Sequence, residues 1–247
     1  MTQPVLEIKN LRVEYETRRG IIKAANDVSM VLYPGERLGL VGESGSGKST
    51  TSLSVMRMIK EPGRIVSGEI ILNGEIDILT LTQQQMRTVR LSRIAMIPQG
   101  AMNSLNPVTK VRDQLLLTMA THGRVGNDKV TRKEIDELLD SVGLQSSVAD
   151  LYPHELSGGM KQRVCIAIAI SMKPDVIIAD EPTSALDVVV QRRIMQTLKR
   201  LQEQLNAGVI LVGHDMGLMA QFVDRLGVMY GGNLVEVGTV DEIFGNP

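Results

Sequence analysis

Residues 42–50 read Gly-Glu-Ser-Gly-Ser-Gly-Lys-Ser-Thr. Gly42, Gly47, Lys48 and Ser49 fill every fixed position of the phosphate-loop pattern G-x-x-x-x-G-K-[ST]. Gly42, Gly45 and Gly47 let the backbone curl, so that the amides of the loop, those of Glu43, Ser44 and Ser46 included, converge on phosphate oxygens. A helix beginning near Lys48 and running through Thr50 turns the positive end of its dipole on the same point. Lys48 reaches the terminal phosphates, and the Ser49 hydroxyl is a Mg²⁺ ligand. The loop implies a nucleoside triphosphate site without saying what is done there.

Two further stretches carry chemistry. In 176–182, Val-Ile-Ile-Ala-Asp-Glu-Pro, an apolar run ends in two acids. Asp180 can hold Mg²⁺ through water, while Glu181 points the other way off the strand end and can polarise an attacking water. In 156–163, Leu-Ser-Gly-Gly-Met-Lys-Gln-Arg, a second glycine corner presents backbone amides behind a serine. Ser157 at a helix N-terminus, with the amides of Gly158 and Gly159, suits a γ-phosphate. Glycines there allow two backbones to approach closely. One nucleotide needs one cradle, so a second cradle raises the possibility of a nucleotide held by another chain. A serine cap with glycine spacers accounts for these residues locally, but not for the Lys-Gln-Arg that follows.

The elements that must position these groups are legible in part. The chain has 247 residues, 43% hydrophobic and 22% charged, the composition of a globular protein near the limit of one core. A net charge of −1 gives no electrostatic reason for a nucleic-acid partner. Cys165 is the single cysteine and lies in an apolar run, which excludes an intrachain disulfide and makes a small buried side chain the expected role. The longest apolar stretches, 164–170 and 176–179, fall short of the roughly 18–20 residues that a bilayer demands. The first ten residues lack the pattern of a signal peptide, so a soluble intracellular chain is expected, with any membrane-spanning part supplied by a partner.

Alternation at Val5, Leu6, Ile8, Leu11, Val13 and Tyr15, then Val28, Met30 and Leu32, predicts antiparallel strands with turns near 18–20 and 34–35. Residues 37–42 predict a short buried strand, 48–58 a helix, and 68–74 a strand pair. From about Thr80 to Gly143 the period is helical. Thr131 followed by Glu134 predicts a capping box, with Ile135, Leu138, Leu139 and Val142 on one face. Residues 164–170 fit a strand or a buried helix equally. Asp187 is expected to cap a helix bearing Val190, Ile194, Leu198, Leu201 and Leu205, before a strand at 208–213 and a closing hairpin. The outcome is an α/β protein: a P-loop core with an antiparallel β subdomain and an inserted α-helical one. The expected division is 1–98 with 172–247 as one α/β lobe, and 99–171 as the helical part.

With the phosphate loop, Leu-Ser-Gly-Gly-Met and Asp-Glu-Pro in this order, essentially the whole chain resembles the ATP-binding-cassette (ABC) ATPases. The resemblance implies that two cassettes dimerise head to tail around two ATP molecules. Each ATP lies on the phosphate loop of one chain and under Ser157, Gly158, Gly159 and Met160 of the other. It also implies roles for single residues. Gln99 would touch Mg²⁺ and the attacking water, and His214 would contact the γ-phosphate, with Gly213 before it where Ser or Thr is usual. Asp187, in Ser-Ala-Leu-Asp, would cross the dimer interface, and Tyr15 would stack on adenine. His122 and His154 are left as structural. Residues 101–111 would receive a transmembrane permease subunit, and an extracytoplasmic substrate-binding protein would take part indirectly. That places the chain on the cytoplasmic face of a membrane.

The segments 98–107 and 152–164 and the tail from Val235 resemble the ATPase subunits of oligopeptide and dipeptide importers. Those subunits usually continue with an extension that often bears cysteines for an iron–sulfur cluster; the sequence ends at Pro247, and no cluster is expected. A cassette of another transport system, or a regulatory one with little turnover, is the alternative. The expected cofactors are ATP and Mg²⁺, and the second cassette is either identical or related. A tandem-cassette factor, a coiled-coil chromosome ATPase and a GTPase each need features that the sequence lacks.

Overall fold

The computed structural model describes residues 3–124, 128–184 and 186–245, without the side chains of 128–130. Strands β1 (Leu6–Thr17) and β2 (Gly20–Leu32) form a hairpin in which Leu6 faces Leu32 and Thr17 faces Gly20. Ile8 and Leu11, three residues apart, would lie on opposite faces of a regular strand. A register shift between them, with Asn10 at φ 47°, brings both inward, and both are fully buried. β4 (Gly63–Leu72) pairs with the other edge of β1, and β5 (Ile76–Asp77) completes a four-stranded antiparallel sheet in the order β2-β1-β4-β5.

The second sheet holds β3 (Arg37–Val41), β6 (Ile94–Ile97), β7 (Val176–Asp180), β8 (Gly208–Val212), β9 (Arg225–Tyr230) and β10 (Asn233–Thr239). Its order is β10-β9-β3-β8-β7-β6, parallel throughout except for β10, which returns antiparallel beside β9. The inner strands are apolar along their length because both faces are covered. Val41, Ile97, Ile177, Ala179, Val209 and Leu211 join the core on one face; Leu38, Leu40, Val176, Ile178, Ile210 and Val212 join that on the other. The second core also takes in the antiparallel sheet and the end of α1 (Lys48–Val55). The first holds α3 (Val111–Thr121), α5 (Gly158–Ile170) and α6 (Val188–Leu205), with the inner face of α4 (Asp128–Ser141).

The loops after β3, β6, β7 and β8 therefore all leave the carboxyl edge of one sheet, where open parallel sheets place their ligands. Those loops carry the phosphate loop, Gln99, Asp180–Glu181 and His214.

Several boundaries differ from expectation. The helix after the phosphate loop stops at Val55, not 58; Arg57 turns to φ 48° and its guanidinium donates to the Ile78 and Leu81 carbonyls. The helical region from Thr80 contains α2 (Gln83–Val89) but also strand β6, four residues whose burial on both faces leaves no alternation to read. Helix α4 already runs from Asp128, so Thr131 is a buried residue within it and no cap. Residues 164–170 are helical, and β4 begins five residues before the expected strand.

Helix α6 is tied to the sheet by a buried amide. Gln202, 2% exposed, donates from Nε2 to the Gly35 carbonyl at 2.7 Å and the Ala207 carbonyl at 3.0 Å. Gln202→Leu leaves both carbonyls without that donor, and should cost about 2 kcal/mol of unfolding free energy. Chemical denaturation of the two proteins measures it; equal midpoints would show the contacts to be idle.

Candidate active site

The phosphate loop owes its shape to positions that exclude side chains. Gly42 has φ 147°, and a Cβ there would lie 2.1 Å from the Met229 carbonyl oxygen. Gly47 has φ 105°, and its Cβ would lie 2.2 Å from the Ala24 carbonyl. Both contacts are to backbone of distant strands, so neither can yield. Gly47 is also the N-cap of α1 and offers no side chain to the helix amides. Among the described residues, the amides of Gly45, Gly47, Lys48 and Ser49 donate to no protein acceptor. Such convergent free donors at a helix N-terminus form an anion cradle.

Lys48 is 6% exposed, and its Nζ donates to the Gly42 and Glu43 carbonyls at 2.8 Å each and to Ser46 Oγ at 3.3 Å. Burial lowers its pKa, against the attraction of Glu181 and Asp180. Asp180, 4% exposed, accepts from Ser49 Oγ at 3.1 Å. Burial raises its pKa, against that hydrogen bond and Lys48. Glu181 lies next in sequence but turns away, because its backbone enters the left-handed region at φ 45° while its amide still bonds to the Val212 carbonyl at 3.0 Å. A non-glycine residue held there stores strain, and such positions cluster at functional sites. The turn sends its carboxylate between two partners: Gln99 Nε2 donates to Oε2 at 2.8 Å, and His214 Nδ1 lies 3.3 Å from Oε1.

The structure thus brings the phosphate loop, Asp180, Glu181, Gln99 and His214 to one sheet edge. It does not bring Ser157 there. Ser157 caps α5, accepting from the Met160 amide at 3.3 Å, and with Gly158 is exposed. The corner leans on its own chain elsewhere: a Cβ at Gly158 would sit 3.5 Å from Leu186 and from Met102 Sδ, and one at Gly159 would lie 2.9 Å from Val190. Asp187 is exposed and caps α6 through the Val190 amide at 3.0 Å. Tyr15 is half-buried, its ring over Gly63 and packed against the core beside Ile59. His154 stacks on Tyr152 with centroids 5.5 Å apart, and His122 ends α3. No local sequence signal points to Met229 and Ala24 at the loop's back, since they come from strands remote in the chain.

Ser49 Oγ and Asp180 form a hard-oxygen pair with free coordination on the phosphate side, the sort of partial set to which Mg²⁺ adds substrate phosphates and waters. Among the described residues no group of three or more His, Cys, Asp and Glu side chains converges to hold a metal alone.

Residues 25–184 match the family model described as ABC transporter. A provisionally named peptide import ATP-binding protein of Brucella abortus (strain 2308) is 45% identical over 249 aligned residues, covering 100% of this chain and 74% of the relative. A similarly named protein of Brucella ovis is 44% identical over 252. Among solved structures, the dimeric post-hydrolysis ATP-binding cassette MJ0796 bound to ADP and Pi superposes with TM-score 0.83 at 29% identity, covering 95% of this chain and 98% of that one. CbiO1 of Clostridium perfringens, described as part of the transporter complex cbiONQ, gives TM-score 0.81 at 26% identity, covering 99% and 92%.

The buried Asp180 carboxylate costs the fold its desolvation wherever it is ionised. Its native pKa lies above the unfolded one, so the penalty is full at neutral pH and absent once both states are protonated. Metal-free Asp180→Asn should therefore melt higher than the parent at pH 7, with the gain vanishing below about pH 4. Thermal melts across that range test it, and a lower melting temperature at pH 7 would contradict it.

Proposed function

Since this chain belongs to the ABC transporter family, we propose that it is the ATP-hydrolysing subunit of a membrane importer for di- or oligopeptides, working as a cassette dimer. The observation that carries the reading is Glu181, set by a strained turn between Gln99 and His214 and opposite the Ser49–Asp180 pair. A carboxylate so held can align a water for in-line attack on the γ-phosphorus and accept its proton as the new P–O bond forms. The bond to the β-phosphate oxygen then breaks, leaving ADP and phosphate. Lys48 leaves its loop carbonyls for the phosphate oxygens, and with the free amides of Gly45, Gly47, Lys48 and Ser49 it spreads the negative charge. His214, its side chain 70% exposed, can reach the γ-phosphate while it steadies Glu181. Ser49 and Asp180 would hold Mg²⁺, with Gln99 as a further candidate ligand, and the ion would supply neutralisation of the phosphate charge. Tyr15 is assigned to adenine stacking.

The exposed Ser157–Gly158 corner, which supplies no contact to the Glu181 cluster, supports a role in trans on a neighbour's nucleotide. The segment after Gln99 presents Asn106, Pro107 and Val108 to solvent, Val108 at 80%, and this supports a docking place for a membrane subunit. No helix among the described residues is long and apolar enough to span a bilayer, so the transport path would lie in such partners, with this chain at the cytoplasmic face. The names of the Brucella relatives support peptides as the cargo.

Glu181→Gln should lower ATP turnover by about 10²–10⁴-fold, the usual worth of a general base, while ATP binding persists and a stable ATP-bound dimer accumulates. Steady-state hydrolysis and light scattering read both; turnover near the parent's would remove Glu181 from the role. A mixing experiment tests sharing between chains. Lys48→Ala and Ser157→Arg proteins should each be inactive, yet a one-to-one mixture should regain about a quarter of parental activity, because half its dimers hold one intact composite site. No recovery would mean that this chain does not pair with itself, and would point to a related second cassette.

A further inference from the structure

Two buried glutamines behave differently. Gln162 and Gln202 are each 2% exposed. Gln202 satisfies two carbonyls, whereas Nε2 of Gln162 has no acceptor among the described residues. Gln162 follows Gly158 by four residues and precedes Cys165 by three, so all three share one face of α5. That face meets the turn directly after Gln99. Cys165 Sγ donates to the Ala101 carbonyl at 3.1 Å, and Gly158 stands against Met102. Gln162 thus belongs to the face of α5 that Gly158 and Cys165 set against the turn after Gln99.

An unsatisfied buried donor destabilises the arrangement that contains it, and favours any other that supplies an acceptor. Carbonyls are at hand: the Ala101 oxygen has two lone pairs and can take a second donor without releasing Cys165. We propose that Gln162 is a positioning residue whose amide pairs with a backbone carbonyl of residues 100–104 when cassettes close on ATP. The bond locks the Gln99 loop and the Ser157–Gly159 corner into one moving unit. The open arrangement lacks it, so closure is favoured by a bond already desolvated. This rests on the composite-site reading above.

The test uses the full chain with ATP and Mg²⁺ in the Glu181→Gln background. Added Gln162→Leu or Gln162→Met should leave the melting temperature without nucleotide equal or higher, since each removes an orphan donor. ATP binding by the monomer should not change. ATP-driven dimerisation should weaken about tenfold, the weight of one buried hydrogen bond. A purely structural glutamine would give the opposite pattern, a lower melting temperature with dimerisation intact, and that result overturns the proposal. So does dimerisation equal to the Glu181→Gln parent. If neither variant folds, the unsubstituted chain still decides: the Gln162 side-chain amide resonance should shift on ATP closure, and an unmoved resonance refutes the bond. A Glu181→Gln parent that fails to dimerise with ATP removes the composite site itself, a failure separable from loss confined to the Gln162 variants.

Discussion

The hydrogen bond from Ser49 to Asp180 joins the start of α1 to the end of β7, and the geometry of the site depends on it. Its partners are 131 residues apart in sequence and belong to different strand–helix units. Their meeting follows from sheet order. β3 and β7 both flank β8, so the loop after β3 and the acids after β7 leave the same edge one strand apart. Burial then sets the electrostatics. Lys48 and Asp180 are both nearly inaccessible, and their pKa values move toward neutrality in opposite directions for the same reason. Each lies within the other's field, which limits both shifts. A phosphate entering this pocket would meet a cation already stripped of much of its water, in a medium where charge acts strongly.

Glu181 shows how backbone strain divides labour between neighbours. Two acids in succession on a regular strand would point to opposite faces of the sheet, and neither face offers an exposed carboxylate to a bound nucleotide. At φ 45° the chain instead leaves the strand between them, so Asp180 stays with Ser49 while Glu181 emerges between Gln99 and His214. The penalty, of order 1–3 kcal/mol, is held by the Val212 carbonyl behind and the Ser184 amide ahead, which bonds back to the Glu181 carbonyl.

What the sequence disclosed followed the range of the forces involved. The phosphate loop, the acid pair and the Ser157 and Asp187 caps are local chemistry, written within a few consecutive residues. The hairpins were legible because one face of each strand meets water. β6 escaped because four residues buried on both sides carry no period, and residues 164–170 were ambiguous for a related reason: a helix apolar all round has no polar stripe to mark its turn. Thr131 and Glu134 matched a capping pattern inside a helix that had already begun at Asp128. The Met229 and Ala24 carbonyls that force glycine at 42 and 47 could not be found, since only the folded sheet brings them there.

The glycines of the 156–160 corner answer a question that the phosphate loop does not raise. At Gly42 and Gly47 the obstacle is this chain's own backbone; at Gly159 it is a side chain, Val190, the third residue of α6, whose amide the Asp187 side chain caps. α5 and α6 therefore touch at their N-termini, and the two exposed caps, Ser157 and Asp187, are held at a fixed spacing by the close approach of Gly159 to Val190. A side chain at 159 would push these ends apart by leverage on both helices. A partner surface that met Ser157 would meet Asp187 at the same moment. A surface assembled from two caps in rigid register suits recognition of one particular partner geometry better than independent contacts, because the entropy of aligning them is already spent in folding.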